Sequence, residues 1–559
     1  ARPLFSVTPR MIDVYSRLTG VRYPWAKYAQ TTVADFFGGM ENVSATTLVD
    51  WLPDARAYRD RPWYQYILIP HELAHQWFGD YVTTENWANM WLNEGFAEFM
   101  PGAYWEHELG RQASDDYYLD EYRQFMAIDA RRSMPLASIG SNNIYPKGAL
   151  VLRMLRRYLG DERFWASVHE YLTRHAHGNA TTDDFRQSVL AATGENLAWF
   201  WDEWLYQSGY PKLTVTAAYD SSARTMRLTV KQTQGDSTAP DSTGLRFTTP
   251  TVYRMPITVR VGTTHGDVTR EVWLDAREQS IDLGALPGEP TMVVFDDGNR
   301  VLKQLRFDEP SPWLATQLGR DPDIWNRWWV IGQLAERTHD TTAARALADA
   351  ATGSDYFLTR AQAAGALGGF APELVLPALA RALGDTSSTV RQAALVSLGQ
   401  VGGARALALA RDAWAHDSSY EARAAAVGAI ADIDSAGRRE FLASALEVPS
   451  YRDAIQNAAL SAIARHGDTS FVAELETRLG TQLRVAYTLG VLASRGNDHA
   501  LSLLASHLND DRAYVRQWVV STFARVVRPA RGTPALQAML PTLKYAGTKS
   551  EVERIVGGG

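Results

Sequence analysis

The chain contains no cysteine. Disulfides and thiolate metal sites are excluded, so any bound metal must be held by histidine and carboxylate. Long apolar runs are also missing: no stretch approaches the roughly 18 residues needed to cross a bilayer as a helix. Basic character is absent too. Lys and Arg total 56 against 63 Asp and Glu, a net charge of −7 over 559 residues, which makes nucleic acid a poor partner. Lysine is scarce beside arginine and alanine is abundant, the composition of a GC-rich bacterial gene. The compartment stays open between cytoplasm and periplasm. The first residue is Ala1, so processing of a longer amino-terminal part is compatible with the sequence.

The residues that are present describe an ordinary globular composition, 46% apolar and 21% charged, long enough for several domains. Three textures follow one another. Residues 1–211 mix helical periodicity with Trp and Tyr. "GALVLRMLRRYLG" (Gly148–Gly160) and "TTDDFRQSVLAATG" (Thr181–Gly194) read as helices closed by glycine. Residues 212–308 alternate polar and apolar positions around short turns, as in "KLTVTAAYD" and "TMRLTVKQT", which predicts hairpins in a small β-sandwich. "GDSTAPDSTG" (Gly235–Gly244) reads as a mobile loop between its strands. Residues 309–559 are Ala- and Leu-rich. Related helical segments begin at Val390, Ala422 and Ile455, about 32 residues apart, with further copies at Thr359, Leu483 and Val515. This period resembles HEAT-type repeats stacked in a solenoid.

The chemistry concentrates in "PHELAHQWFGDYV" (Pro70–Val82). Residues four apart share a helix face, so His71 and His75 can present two imidazoles to one ion with Glu72 beside them. A catalytic zinc site takes three protein ligands and keeps one position open. "MWLNEGFAEFM" (Met90–Met100) offers the third: Glu94 lies among Trp91, Leu92, Phe96 and Phe99, where a carboxylate is costly unless paired or metal-bound. Glu98 lies one turn further on, either an ordinary surface residue or a neighbour of the ligands. Asn93 and Asp80 are candidates for orienting the imidazoles.

His-Glu-x-x-His, eighteen residues, then Glu inside "WLNEGFAE" resembles the gluzincin aminopeptidases of the alanyl aminopeptidase and leukotriene hydrolase type. "GGMEN" (Gly38–Asn42) resembles the family's Gly-x-Met-Glu-Asn motif, "NNIYPKG" its Tyr-x-Lys-Gly setting, and "FWDEWLYQSGYPKLTV" (Phe200–Val215) the close of its catalytic domain. The resemblance implies a multidomain α+β chain: a thermolysin-like, mostly helical catalytic domain over 1–211, a β-sandwich over 212–308 and an α-solenoid of HEAT-like repeats over 309–559. It implies one Zn²⁺ held by His71, His75 and Glu94, with Glu72 as general base and Tyr145 as oxyanion donor. Glu41 would bind the substrate amine, with Gly38, Gly39 and Met40 along the substrate.

The family carries a β-rich domain ahead of these motifs, whereas 37 residues precede Gly38 here. We therefore expect a carboxy-terminal fragment whose partner, besides a peptide substrate, is a separate amino-terminal fragment of the same protein. Two other functions compete with the aminopeptidase: an epoxide hydrolase of the leukotriene branch, which the second glycine of "GGMEN" resembles, and a non-catalytic peptide-binding scaffold built on the repeats.

Overall fold

The computed structural model describes residues 2–34, 36–60, 63–240 and 244–557. Internal contacts divide the chain into two compact units. The first comprises residues 1–53 and 61–363; the second comprises 54–60 and 364–559.

In the first unit, helix Thr8–Thr19 begins with a proline in its first turn and closes at Gly20, whose φ of 69° suits a residue without Cβ. A three-stranded sheet follows. Ala29–Val33 runs parallel to the central strand Ala45–Val49, and Gly39–Met40 pairs antiparallel on its other side through Gly39↔Leu48 and Met40↔Thr47. "GGMEN" thus forms an edge strand and the turn after it.

The helices then assemble around Trp91–Leu109. Every residue from Trp91 to Trp105 is buried, so this helix has no polar face to announce it and forms the centre of the helical part. Around it pack Ile69–Ala74, Arg111–Asp129 and Pro146–Leu159. The last starts two residues before the expected Gly148, because Pro146 fits a first helical turn where no N–H is required. Helix Thr182–Thr193 carries a reciprocal capping box between Thr181 and Asp184.

The alternating segment forms two sheets. One has strand order Glu278–Ala285, Thr225–Gln232, Lys212–Asp220, Gln304–Phe307; the other has Pro290–Phe295, Met255–Thr263, Gly266–Leu274. Leu213, Val215, Met226, Leu228 and Val230 alternate inward, as period-two patterning requires. Of the loop expected at Gly235–Gly244, residues 241–243 lie outside the described residues.

A buried ionic seam joins these parts within the first unit. Arg153 reaches Asp115 at 2.9 Å and donates to the Asn299 carbonyl at 2.7 Å. Asn299 donates to Asp323 at 3.2 Å, and Lys303 pairs with Asp296 at 2.6 Å. Helix, strand loop and the following helix Ile324–Ala335 are thereby cross-linked by charge-assisted bonds.

The second unit is a helical array. The repeated segments fall on helices Ser388–Val401, Tyr420–Ile433, Ala454–His466, Leu483–Ser494 and Ala513–Arg525. Val390, Ala394 and Leu398 recur as Ala422, Ala426 and Ile430, then as Ile455, Ala459 and Ile463, all buried. Successive layers are stitched by hydroxyls donating to carbonyls about one repeat away: Ser397 to Ala364 at 2.7 Å, Thr488 to Leu460 at 3.3 Å and Ser494 to Val526 at 2.7 Å. Tyr420 bonds Asp54 at 3.1 Å and, through its N–H, Asp60 at 3.2 Å, which holds 54–60 within this unit. Among the described residues, no helix is long and apolar enough to cross a membrane.

Removing one partner of a buried ion pair leaves the other uncompensated, at a cost of about 3–5 kcal/mol. Arg153→Met is expected to destabilise the first unit by about 3 kcal/mol, read from the urea midpoint. Arg174→Met, which breaks an exposed pair with Glu170, should cost under about 1 kcal/mol. Equal shifts in the two variants would remove the seam from the account of stability.

Candidate metal centre

His71 and Glu72 lie in helix Ile69–Ala74 and His75 directly follows it. The buried Tyr15 hydroxyl donates to the Pro70 carbonyl at 3.0 Å and pins the start of this helix. Helix Trp91–Leu109 runs alongside and presents Glu94. The three candidate ligand atoms converge: His71 Nε2 to His75 Nε2 is 3.2 Å, His75 Nε2 to Glu94 Oε2 is 3.2 Å, and His71 Nε2 to Glu94 Oε2 is 3.5 Å. Ligands about 2.0–2.1 Å from a tetrahedral zinc stand about 3.3–3.4 Å from one another. The donor set therefore fits zinc in both chemistry and spacing. Glu72 Oε2 is buried without a hydrogen-bond partner, an acceptor kept free beside the cluster.

Burial would raise the Glu94 carboxyl, but hydrogen bonds with His71 and His75 outweigh it and hold Glu94 well below the usual carboxylate range. Glu72 lacks such bonds. Burial raises its pKa, only partly offset by the two imidazoles. Two carboxylates in one pocket are thus driven apart by their surroundings, Glu94 toward its ionised form and Glu72 toward its protonated form.

The outer ring nitrogens are also held. His75 Nδ1 is 2.9 Å from the Phe78 carbonyl and His71 Nδ1 is 2.8 Å from Glu98 Oε2. Glu98 is buried, so it is no surface residue. It lies 2.8 Å from the Tyr117 hydroxyl and shares a hydrogen bond with Glu121. Burial, with Glu98 next to it, pushes Glu121 far up, so Glu121 holds the shared proton and donates to Glu98. Sequence reasoning missed Tyr117 and Glu121. Their signal was a carboxylate four residues after a tyrosine on the buried stripe of Arg111–Asp129. Asp80 acts at one remove from the imidazoles. It accepts from Gln76 Nε2 at 2.8 Å, while backbone geometry at the helix end gives His75 a carbonyl instead. Asn93 is buried nearby, its amide close to Gly79.

Gln76, also unforeseen, is a fully buried amide with its hydrogen-bonding capacity filled. Besides Asp80 it donates to the Glu41 carbonyl at 3.0 Å, and its Oε1 accepts from the Ser44 N–H at 2.8 Å and the Tyr23 hydroxyl at 3.4 Å. The turn after "GGMEN" is latched to the histidine helix. Ligand atoms of Glu41, Glu72 and His75 consequently lie within 4.8 Å of one another. Gly39 packs so closely that a Cβ there would stand 2.0 Å from Glu72 Oε1. Gly38 has φ 75°, which glycine adopts without strain, and Met40 is 40% exposed on the same edge strand.

Tyr145 immediately precedes helix Pro146–Leu159 and is 43% exposed, its ring tilted 26° to His71 at 6.1 Å. Burial and the adjacent Glu94 raise its pKa, so the phenol stays a donor at neutral pH. Its position depends on glycine. A Cβ on Gly148 would lie 2.6 Å from the Gly95 Cα, and one on Gly95 would lie 2.9 Å from the Gly148 Cα. Two helices touch backbone to backbone, next to Glu94 on one and Tyr145 on the other.

His71, His75 and Glu94 together form a group that could hold a metal ion. Residues 4–204 match the family described as "Peptidase family M1 domain", and residues 344–431 match "HEAT repeats". The chain is 29% identical over 348 residues to the puromycin-sensitive aminopeptidase of Caenorhabditis elegans, covering 58% of this chain and 35% of that protein. It is 32% identical over 223 residues to aminopeptidase M1 of Arabidopsis thaliana, covering 37% of this chain and 25% of that one. The crystal structure of Legionella pneumophila aminopeptidase A in complex with aspartic acid matches with a TM-score of 0.65 and 14% identity, over 99% of this chain and 73% of that chain, a likeness of fold. The chain matches about a third or less of the length of these curated relatives.

Lys147 gives a pH signature. It is fully buried, its Nζ donates to the Gly209 carbonyl at 3.3 Å, and burial lowers its pKa to about 8, with Asp129 opposing the shift. An unfolded lysine holds its proton to about pH 10.4. Unfolding therefore takes up a proton between these values, and stability rises with pH through that window. Native Lys147 should gain on Lys147→Met by up to about 3 kcal/mol between about pH 7 and about pH 10, read from paired urea midpoints. A difference independent of pH would contradict the buried ammonium.

Proposed function

We propose that this chain is the catalytic portion of a zinc-dependent aminopeptidase, hydrolysing the amino-terminal bond of peptides. In this reading residues 1–211 form the catalytic domain, 212–308 the β-sandwich and 309–559 the repeat domain. One observation carries it: three ligand atoms at tetrahedral spacing beside a carboxylate oxygen left without a partner.

His71, His75 and Glu94 hold the ion. Zinc in such a site supplies Lewis acidity toward water and the scissile carbonyl. Glu72 takes a proton from the attacking water at its free Oε2. Its raised pKa lets it keep that proton long enough to deliver it to the departing amine. The Tyr145 hydroxyl donates to the oxygen on which negative charge develops. Glu41 pairs its carboxylate with the substrate ammonium and so fixes cleavage at the first residue. Gly38, Gly39 and Met40 offer the open side of an edge strand, along which an extended peptide can run. Gln76, by holding the Glu41 carbonyl and the Ser44 N–H, sets the distance between amine pocket and scissile bond.

An aminoacyl amide assay with metal analysis tests this. Chelation should abolish hydrolysis and added zinc should restore it. Glu72→Gln should retain zinc and lose at least about 10²-fold in kcat. Tyr145→Phe should lose about 10²–10³-fold in kcat with little change in KM. Hydrolysis that survives both chelation and Glu72→Gln would end the proposal. Gln76→Leu should instead act mainly on KM, raising it about tenfold or more as Glu41 loses its register. An effect confined to kcat would show that Gln76 serves the ligands and not the amine pocket.

A further inference from the structure

A cavity of about 290 Å³ opens in the first unit where the last turn of helix Pro146–Leu159 meets strands Met255–Thr263 and Gly266–Leu274. It is separate from the metal centre. Tyr145 precedes the first turn of this helix and Arg157 lies in its last, about 18 Å apart at 1.5 Å per residue.

The floor is apolar: Met154, Phe200, Trp204 and Met255 are buried. Three aromatic side chains that line it pack edge-to-face against one another. Tyr158 and Trp199 stand at 73° with centroids 5.6 Å apart, Trp199 and Trp273 at 82° and 5.4 Å, and Tyr158 and Trp273 at 75° and 6.4 Å. Such a lining offers both ring faces and ring edges to a flat guest. Trp273 is 45% exposed and open to a guest.

Charge decides what the guest carries. Five charged residues line the cavity: Arg157, Arg163 and Arg300 against Glu195 and Glu271. Arg163 pairs with Glu195, and Arg300 pairs with Glu271 at 3.0 Å. Arg157 has to share its partner. Among the described residues its one carboxylate within 4 Å is Asp115, at 3.5 Å, and Asp115 already meets Arg153 at 2.9 Å and Arg111 at 3.2 Å. Burial, reinforced by Arg153, lowers the Arg157 pKa to about 10, the mark of a desolvated cation short of counter-charge. An aromatic box alone would suit an organic cation. The surplus guanidinium excludes that guest and favours an anion.

We infer that this cavity binds a small aryl carboxylate, its ring system on the exposed part of Trp273 over the apolar floor and its carboxylate on Arg157. The volume suits one or two fused rings, at the low end of the roughly 300–1,000 Å³ typical of ligand pockets. The inference does not depend on the peptidase reading, because no residue of the metal centre lines the cavity.

The experiment is calorimetric titration of the full chain with 2-naphthoate, with neutral 2-naphthylmethanol and cationic phenyltrimethylammonium as companions. The native protein should bind one 2-naphthoate, more tightly than either companion. Trp273→Ala, at a position 45% exposed, should weaken naphthoate at least about tenfold. Arg157→Met should weaken naphthoate to the level of naphthylmethanol and leave naphthylmethanol unchanged. Glu271→Gln releases Arg300 and should tighten naphthoate severalfold, a gain that no folding defect imitates. Absence of naphthoate binding at millimolar concentration, tighter binding of the cation, or indifference to both Trp273→Ala and Glu271→Gln would each overturn the inference.

Discussion

Two imidazoles and several carboxylates packed into one buried space impose the constraint on which the rest of the first unit depends. In low dielectric an uncompensated charge costs several kcal/mol, so each group needs a partner of fixed geometry. Glu94 is held by His71 and His75. His71 is held from behind by Glu98, and Glu98 by Tyr117 and a protonated Glu121. His75 rests on a main-chain carbonyl. The compensation extends outward through successive residues until it reaches groups that are neutral. Glu72 Oε2, among the described residues, has no hydrogen-bond partner and no ion pair, and that exception is where chemistry can happen.

The surrounding architecture makes this cluster stiff. The central helix is buried along most of its length, which fixes its rotation and hence the direction of Glu94. The seam from Asp115 through Arg153 and Asn299 to Asp323 ties the helical part to the strands and the helix beyond them. Gln76 closes the assembly on the other side by fastening the edge-strand turn. The repeat unit holds together by different physics: small alanines, aliphatic layers and hydroxyl-to-carbonyl stitches about one repeat apart.

What could be read from the sequence was whatever repeats locally. The i, i+4 histidines, the carboxylate set among aromatics, the alternating strands and the repeat period all express short-range geometry, and the match of residues 4–204 to the M1 peptidase domain, the match of 344–431 to HEAT repeats and the α+β organisation agree with that reading. The supports were not legible in the same way. Glu121 meets Glu98 from another helix, and Gln76 looks like an unremarkable polar residue until the turn at Ser44 lies against it. Glu98 was open between surface and site because a single turn of offset from Glu94 does not say which neighbour covers it. The placement of 54–60 with the second unit is likewise a matter of tertiary contact, through Tyr420, with no local pattern.

The Gly95–Gly148 crossing bears on how such a protein can change over generations. At either position the atoms an added methyl would strike include main chain of the opposing helix, and no substitution elsewhere can shorten a backbone. Ordinary core contacts drift by paired exchange, large for small and small for large, each step rescued by its neighbour. This contact has no such partner: altering the second glycine as well only adds another collision. The pair therefore lacks the compensatory epistasis that lets most interiors wander, and it locks together two loci otherwise free to diverge, the one that follows Glu94 and the one that follows Tyr145.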